Sequence, residues 1–171
     1  TYQERNLFVP REELERRGVA LLAVDRGGDV TLHAPGQLVA YPIINLKRAE
    51  LGLREYLQNL EQVAVDFLMD FAIVAQGDND RRGVWVSGRK IASIGIGVSR
   101  WVTYHGIGLN ISTDLELFRL IRPCGLDVQM VSLQKLKGSA PEMQEARASF
   151  ARHFGRVFKC YRLFSPTSGK E

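Results

Sequence analysis

At 171 residues the chain is long enough to bury a real core, and with 45% apolar and 25% charged residues it has a globular rather than a disordered or fibrous composition. No apolar run approaches the roughly 18 residues that signal a membrane span, and Thr1 to Arg5 lack the apolar stretch of a signal peptide. Two cysteines are too few for a disulfide framework and fit a reducing cytosol, while 23 Lys and Arg against 19 Asp and Glu leave only a modest basic balance.

The chain has no internal repeat, low-complexity tract or linker, so residues 1–171 read as one domain. Residues 10–17 predict a short helix, with Pro10 in its first turn, acids near the positive end of the dipole and Gly18 as its C-cap. The apolar run 19–24 predicts a buried strand, broken by the turn Arg26-Gly27-Gly28-Asp29. Residues 37–46 resume a strand pattern in which Pro42 points to an edge or a bulge.

Leu53, Leu57, Leu60, Ala64, Phe67, Leu68 and Phe71 recur at helical spacing and predict an amphipathic helix over 53–70. Residues 84–113 read as β-structure with a Ser87-Gly88 turn, and Asp114 can cap a short helix through Leu120. Met143, Ala146, Phe150, Phe154 and Phe158 predict a second long helix over 141–159. Its C-terminal part is free of acids, and Arg147, Arg152, Arg156, Lys159 and Arg162 could form a basic docking face or simply a solvated one. Strands and helices without regular alternation favour an α+β fold, a sheet with two helices packed on it.

Four segments carry candidate chemistry. Arg26 to Gln37 places two glycines and His33 between apolar stretches; glycines allow positive φ and close approach of a ligand, and His33 can donate, accept or shuttle a proton, or it can be a surface residue of a hairpin. In Gly88 to Gly97, Lys90 opens an apolar strand, either as a desolvated lysine with chemical use or as an edge residue reaching water. Cys124 is displayed between Pro123 and Gly125, whereas Cys160 follows an apolar helical face and reads as a core thiol. A thiol with a reference pKa of roughly 8.5 is mostly protonated at neutral pH, and a nearby ammonium favours the thiolate, so a Lys and a Cys together make a nucleophile and its proton acceptor. In Trp101 to Asn110, Gly106 and Gly108 would let backbone N–H groups reach a ligand carbonyl, and His105 suits a structural or a functional role equally. No CxxC, HxH, HExxH or phosphate-loop spacing is present, so no metal and no cofactor is expected.

Taken together, the stretches RGGDVTLHAPGQLVAYPIINL, GVWVSGRKIASIGIGVSRWVTYHGIGLNISTDL and IRPCGL resemble, in order and spacing, the octanoyltransferases of lipoate synthesis, over roughly Glu12 to Leu136. The resemblance implies a mixed β-sheet flanked by helices, as in the catalytic domains of biotin protein ligases and lipoate-protein ligases. It implies that Cys124 is the acyl-thioester cysteine and Lys90 the lysine that lowers its pKa. It further implies that Arg26, Gly27, Gly28, Asp29, Val30, Thr31, Leu32 and His33, with Ser93, Ile94 and Gly95 and with Gly106, Ile107 and Gly108, contact substrate.

The implied reaction takes an octanoyl group from octanoyl-acyl carrier protein to a lysine of the lipoyl domains of 2-oxoacid dehydrogenases or of the glycine cleavage H protein. A cytoplasmic monomer with no nucleic-acid or membrane partner is expected. The apolar residues from Ile91 to Val98 are the expected wall for the acyl chain. Two departures stand out: Ala34 occupies a position where the family usually has Gly, and the family carries a further N-terminal segment with a His-Pro-Pro stretch, so a truncated chain is expected. The rivals are an ATP-dependent lipoate-protein ligase, which needs no Cys nucleophile, and a non-catalytic acyl-binding module, against which the pair Lys90 and Cys124 argues.

Overall fold

The computed structural model describes residues 6–78, 80–122 and 128–159. Helix α1 (Arg11–Arg16) starts after Pro10 and ends in the manner its sequence requires. Gly18 takes φ +69°, and the amides of Gly18 and Val19 return to the carbonyls of Glu15 and Leu14, each at 2.9 Å, closing a Schellman turn that satisfies the last carbonyls. The apolar run 19–24 is not a strand: it forms no ladder, and Leu22 and Val24 are exposed. Its apolar side chains line a cavity instead, and a continuous apolar run looks the same in sequence in either setting.

Strand β1 (Gln37–Ala40) stops short of Pro42 and is an edge strand, as Pro42 suggested. Helix α2 (Leu53–Met69) buries Leu60, Ala64, Phe67 and Leu68 along one face. Strand β2 (Gln76–Gly77) was not foreseen; two residues are too few to leave a periodic signal. Strands β3 (Val84–Val86), β4 (Arg89–Ser99) and β5 (Val102–Asn110) follow. Two-residue turns join them, with positive φ at Ser87 and Gly88 (47° and 75°) and at Arg100 and Trp101 (48° and 68°), the twist a tight hairpin needs.

The five strands lie in the order β1-β5-β4-β3-β2 and pair antiparallel. A parallel bridge between Lys90 and Met130 makes the sheet mixed. A 3-10 turn (Leu115–Leu120) is capped by Asp114, whose carboxylate accepts from the Glu116 amide at 3.0 Å. Helix α3 (Leu133–Lys137), capped by Ser132 and Gly138, is too short to show a period; α4 (Met143–Val157) has the predicted one.

Helices α2 and α4 cover one face of the sheet. Phe67 and Phe150 meet across them at 6.1 Å, and Ile91, Ala92, Ile94, Ile107 and Leu109 fill the layer beneath. Polar contacts clasp the two helices: Asp70 accepts from Ser149 Oγ at 2.6 Å and from His153 Nε2 at 2.8 Å. Arg156 reaches Asp66 at 3.0 Å, and Arg152 lies 3.9 Å from Asp70. The basic stretch of α4 is therefore partly spent on α2. A second apolar cluster, including Leu14, Val30, Leu32, Leu120 and Ile121, lies apart from the first.

Candidate active site

Side chains alternate across a strand, so the pairs Ala92–Leu109 and Ile94–Ile107 face the helices while Ser93–Gly108 and Gly95–Gly106 face away. That outer face is floored by small residues, and the Arg26–His33 segment lies over it. The Gly27 amide donates to the Ile96 carbonyl at 2.7 Å. A Cβ on Gly95 would stand 3.0 Å from the Arg26 side chain and from the Gly27 carbonyl, so any larger residue would lift the segment.

The segment is braced internally. Arg26 donates to the carbonyls of Gly27 (3.0 Å) and Asp29 (2.6 Å). Asp29 accepts from the Val30 amide and the Asn6 side chain, each at 2.6 Å, and Gly28 supplies φ +90°. Ala34 does not need a glycine's conformation, since it is absent from the non-glycine residues of positive φ.

A cavity of about 700 Å³ opens beside this segment. Its walls carry Arg26, Gly28, Asp29, Thr31 and His33 at one end and apolar side chains such as Leu14, Val19, Leu21, Val30, Leu32 and Leu120 along its length. The size suits a small apolar ligand with a few polar contacts. A narrow cleft continues from Arg26, Thr31 and His33 to Ser93, Gly95, His105 and Gly106. The three sequence-predicted segments thus converge. Ile91 and Ala92 do not form the acyl wall expected of them: both are fully buried in the core shared with α2, because the strand's period turns them to the helix face. Ile94 and Ile107 likewise put their side chains in the core.

Lys90 is no edge residue. It sits on β4, an interior strand, with 0% exposure. Its Nζ lies 5.3 Å from the Trp85 ring centroid, and a Cβ on Gly83 would come 2.6 Å from its Cε, so the glycine makes room for it. The Lys90 amide donates to Gln129 O and its carbonyl accepts from the Val131 amide, both at 2.9 Å. Cys124 and Cys160 lie outside the described residues. A second cavity, of about 960 Å³, opens between the 3-10 turn and Val128–Lys135, and its walls carry Arg89, Arg119, Arg122 and Lys135. Among the described residues no group of three His, Cys, Asp or Glu could hold a metal ion, and no helix is long and apolar enough to cross a membrane.

Sequence reasoning passed over Tyr41, Gln37 and Asn110 as site residues. Tyr41 stacks edge-on between His33 and His105, with ring centroids 6.2 and 5.4 Å away. Gln37 bridges His33 and Asn110. All three lie inside the stretches that carry the family resemblance, but none was singled out there.

Comparison with known proteins bears on the family and the fold. The family model of the lipoyl protein ligase A/B catalytic domain matches residues 1–155. An octanoyltransferase of Syntrophobacter fumaroxidans is 49% identical over 149 residues, covering 86% of this chain and 65% of the relative. One of Solibacter usitatus is 46% identical over 153 residues, covering 90% and 69%. The chain therefore spans about two thirds of the length of these curated relatives. Among solved structures, a lipoate-protein ligase A bound with ATP superposes with a TM-score of 0.73 at 12% identity, over 98% of this chain and 70% of that one. A biotin protein ligase from Aquifex aeolicus gives 0.59 at 17% identity, over 72% and 53%. These two establish the shared α+β fold, and the family match together with the sequence relatives places the chain in the lipoyl protein ligase A/B catalytic domain family, alongside the octanoyltransferases.

Proposed function

We propose that this protein transfers an octanoyl group from octanoyl-acyl carrier protein, through a thioester on Cys124, to a lysine of lipoyl domains. The observation that carries the reading is the convergence of Arg26–His33, Ser93–Gly95 and Gly106 on a cleft beside an apolar cavity, in a chain whose sequence relatives are octanoyltransferases. Such a cavity suits an acyl tail, since each buried CH₂ contributes about 0.8 kcal/mol.

In this reading the thiol proton of Cys124 passes to Lys90 Nζ, and the thiolate attacks the donor thioester. The carrier thiolate leaves and takes the proton back from Lys90. The acceptor lysine then attacks the octanoyl-enzyme, the C–S bond breaks and an amide remains. Backbone N–H groups of the glycine-rich segments stabilise the oxyanion. Support for pairing Cys124 with Lys90 comes from Gln129, five positions after Cys124, which is hydrogen-bonded to the Lys90 amide itself. The carrier's acidic surface docks at the second cavity, where Arg89, Arg122 and Lys135 have no carboxylate partner among the ion pairs of the described residues.

The test is the intact mass of the enzyme after incubation with octanoyl-acyl carrier protein. One octanoyl group should be gained, as a thioester labile to hydroxylamine, and Cys124→Ala should gain none. A Cys124→Ala enzyme with full transfer activity would overturn the reading.

A further inference from the structure

A chain of side-chain hydrogen bonds runs through the site, and its direction is set at one end by a group that has a single role. The Val131 carbonyl can only accept, so the Asn110 atom 3.2 Å from it is the Nδ2 donor. Asn110 Oδ1 therefore faces Gln37 and accepts from Gln37 Nε2 at 2.9 Å. That leaves Gln37 Oε1 toward His33 Nδ1, 2.7 Å away, so Nδ1 carries the proton. In the neutral imidazole the other nitrogen, Nε2, then has the lone pair and accepts from the Tyr41 hydroxyl at 3.1 Å. Amide orientation and histidine tautomer, ordinarily open choices, are fixed here by one peptide carbonyl. The same Val131 donates its amide to the Lys90 carbonyl, so the relay begins at the backbone that holds Lys90.

The inner members of the relay are sheltered: Asn110 has no exposed surface, and Gln37 is partly buried. His33 and Tyr41 are exposed and stand on the walls of both the cavity and the cleft. The other titratable or charged groups on those walls are Arg17 at the C-cap of α1, Arg26 and Asp29 from the overlying segment, and His105 from β5. Arg26 and Asp29 are already occupied by backbone and Asn6 contacts.

The acyl-transfer reading leaves one proton without a receiver. An acceptor lysine, with a reference pKa of about 10.4, arrives as an ammonium and cannot attack until it loses a proton. In that reading Lys90, which has no exposed surface, exchanges its proton with the sulfur atoms, and the exposed imidazole on the cavity wall is His33. Resting on that reading, we propose that His33 Nε2 takes this proton, and that Gln37 and Asn110 are positioning residues that hold its tautomer. The incoming ammonium displaces the Tyr41 hydroxyl from Nε2 and gives it one proton. The freed lone pair attacks the thioester carbonyl; the C–N bond forms and the C–S bond breaks. The second proton on nitrogen ends on the Cys124 sulfur, and His33 returns its proton to water.

The test separates the two half-reactions. Octanoyl-enzyme is formed from octanoyl-acyl carrier protein with wild type, His33→Ala and Gln37→Leu, then discharged either to an unmodified lipoyl domain or to hydroxylamine, whose nitrogen is already unprotonated at neutral pH. His33→Ala should form the octanoyl-enzyme, lose about 10²-fold or more in discharge to lysine, and stay within about threefold of wild type with hydroxylamine. Gln37→Leu should lower discharge to lysine less and shift its pH profile. Nitrogen-15 imidazole spectra should show the proton on Nδ1 in wild type and a tautomer mixture in Gln37→Leu.

Equal loss with both acceptors, undiminished discharge to lysine, or a wild-type proton on Nε2 would each overturn the role of His33. A wild-type enzyme that forms no octanoyl-enzyme would instead overturn the Cys124 reading, and this proposal with it. The nitrogen-15 spectra need no substrate, so they test the tautomer even if His33→Ala fails to fold.

Discussion

The amide of Val131 donates to the carbonyl of Lys90 at 2.9 Å, so the strand-like stretch that follows the Cys124 region is stitched to β4 at the lysine itself. Together with the Gln129 contact to the Lys90 amide, this fixes the backbone of Lys90 on both sides. The side chain, packed beneath Gly83 and over Trp85, has little room to move.

Lys90→Met keeps the length and the packing and removes the amine. Cys124 alkylation by iodoacetamide at about pH 6–7 should slow to the rate of an ordinary thiol, and octanoyl transfer should fall about 10²-fold or more. Lys90→Arg should keep some thiolate but still turn over slowly, because Arg does not readily accept a proton. A Lys90→Met enzyme with wild-type alkylation and turnover would show that the buried lysine is structural.

Donor and nucleotide requirements separate transfer from ligation. Octanoyl transfer from the acyl carrier protein should proceed in the absence of ATP and divalent metal. A strict ATP requirement, with free octanoate as the better donor, would favour the ligase chemistry of the structural neighbour instead.

Salt and charge reversal locate the carrier. Arg156 is engaged with Asp66, so Arg156→Glu should cost about 1 kcal/mol of stability, seen as a lower Tm, and change the carrier's kcat/KM little. Arg89→Glu and Lys135→Glu, on the second cavity, should lower that kcat/KM and flatten its decline with salt, while a small octanoyl thioester is used as before. Loss confined to Arg156→Glu would move the docking face back to α4.

Acid should loosen the clasp between α2 and α4. Hydrogen bonds from Ser149 and then His153 hold the Asp70 carboxyl below the usual carboxylate range. A carboxyl with a depressed folded value stabilises the fold above its unfolded pKa of about 3.9, and that contribution is lost as pH falls through the folded value. Asp70→Asn should therefore lower Tm near neutrality, and the difference from wild type should shrink as pH drops below about 4. A difference that is independent of pH would mean that the carboxylate charge contributes nothing.

The sequence by itself determined the elements whose signals are local. The Gly18 C-cap, the apolar faces of α2 and α4, the Ser87-Gly88 turn and the Asp114 cap depend on residues within a few positions of one another, and each stands where its pattern put it. The order of the glycine-rich motifs also pointed to the family that the relatives share. Tertiary structure decided the rest. Whether Lys90 was an edge or an interior residue depended on which strands flank β4, and whether 19–24 was a strand depended on whether it found a partner edge. The pairing of Arg156 with Asp66 joins residues 90 positions apart, and the bond from Gln37 to Asn110 spans 73. Local periodicity carries no information on such contacts, because a polar side chain's partner is chosen by the packing of whole elements.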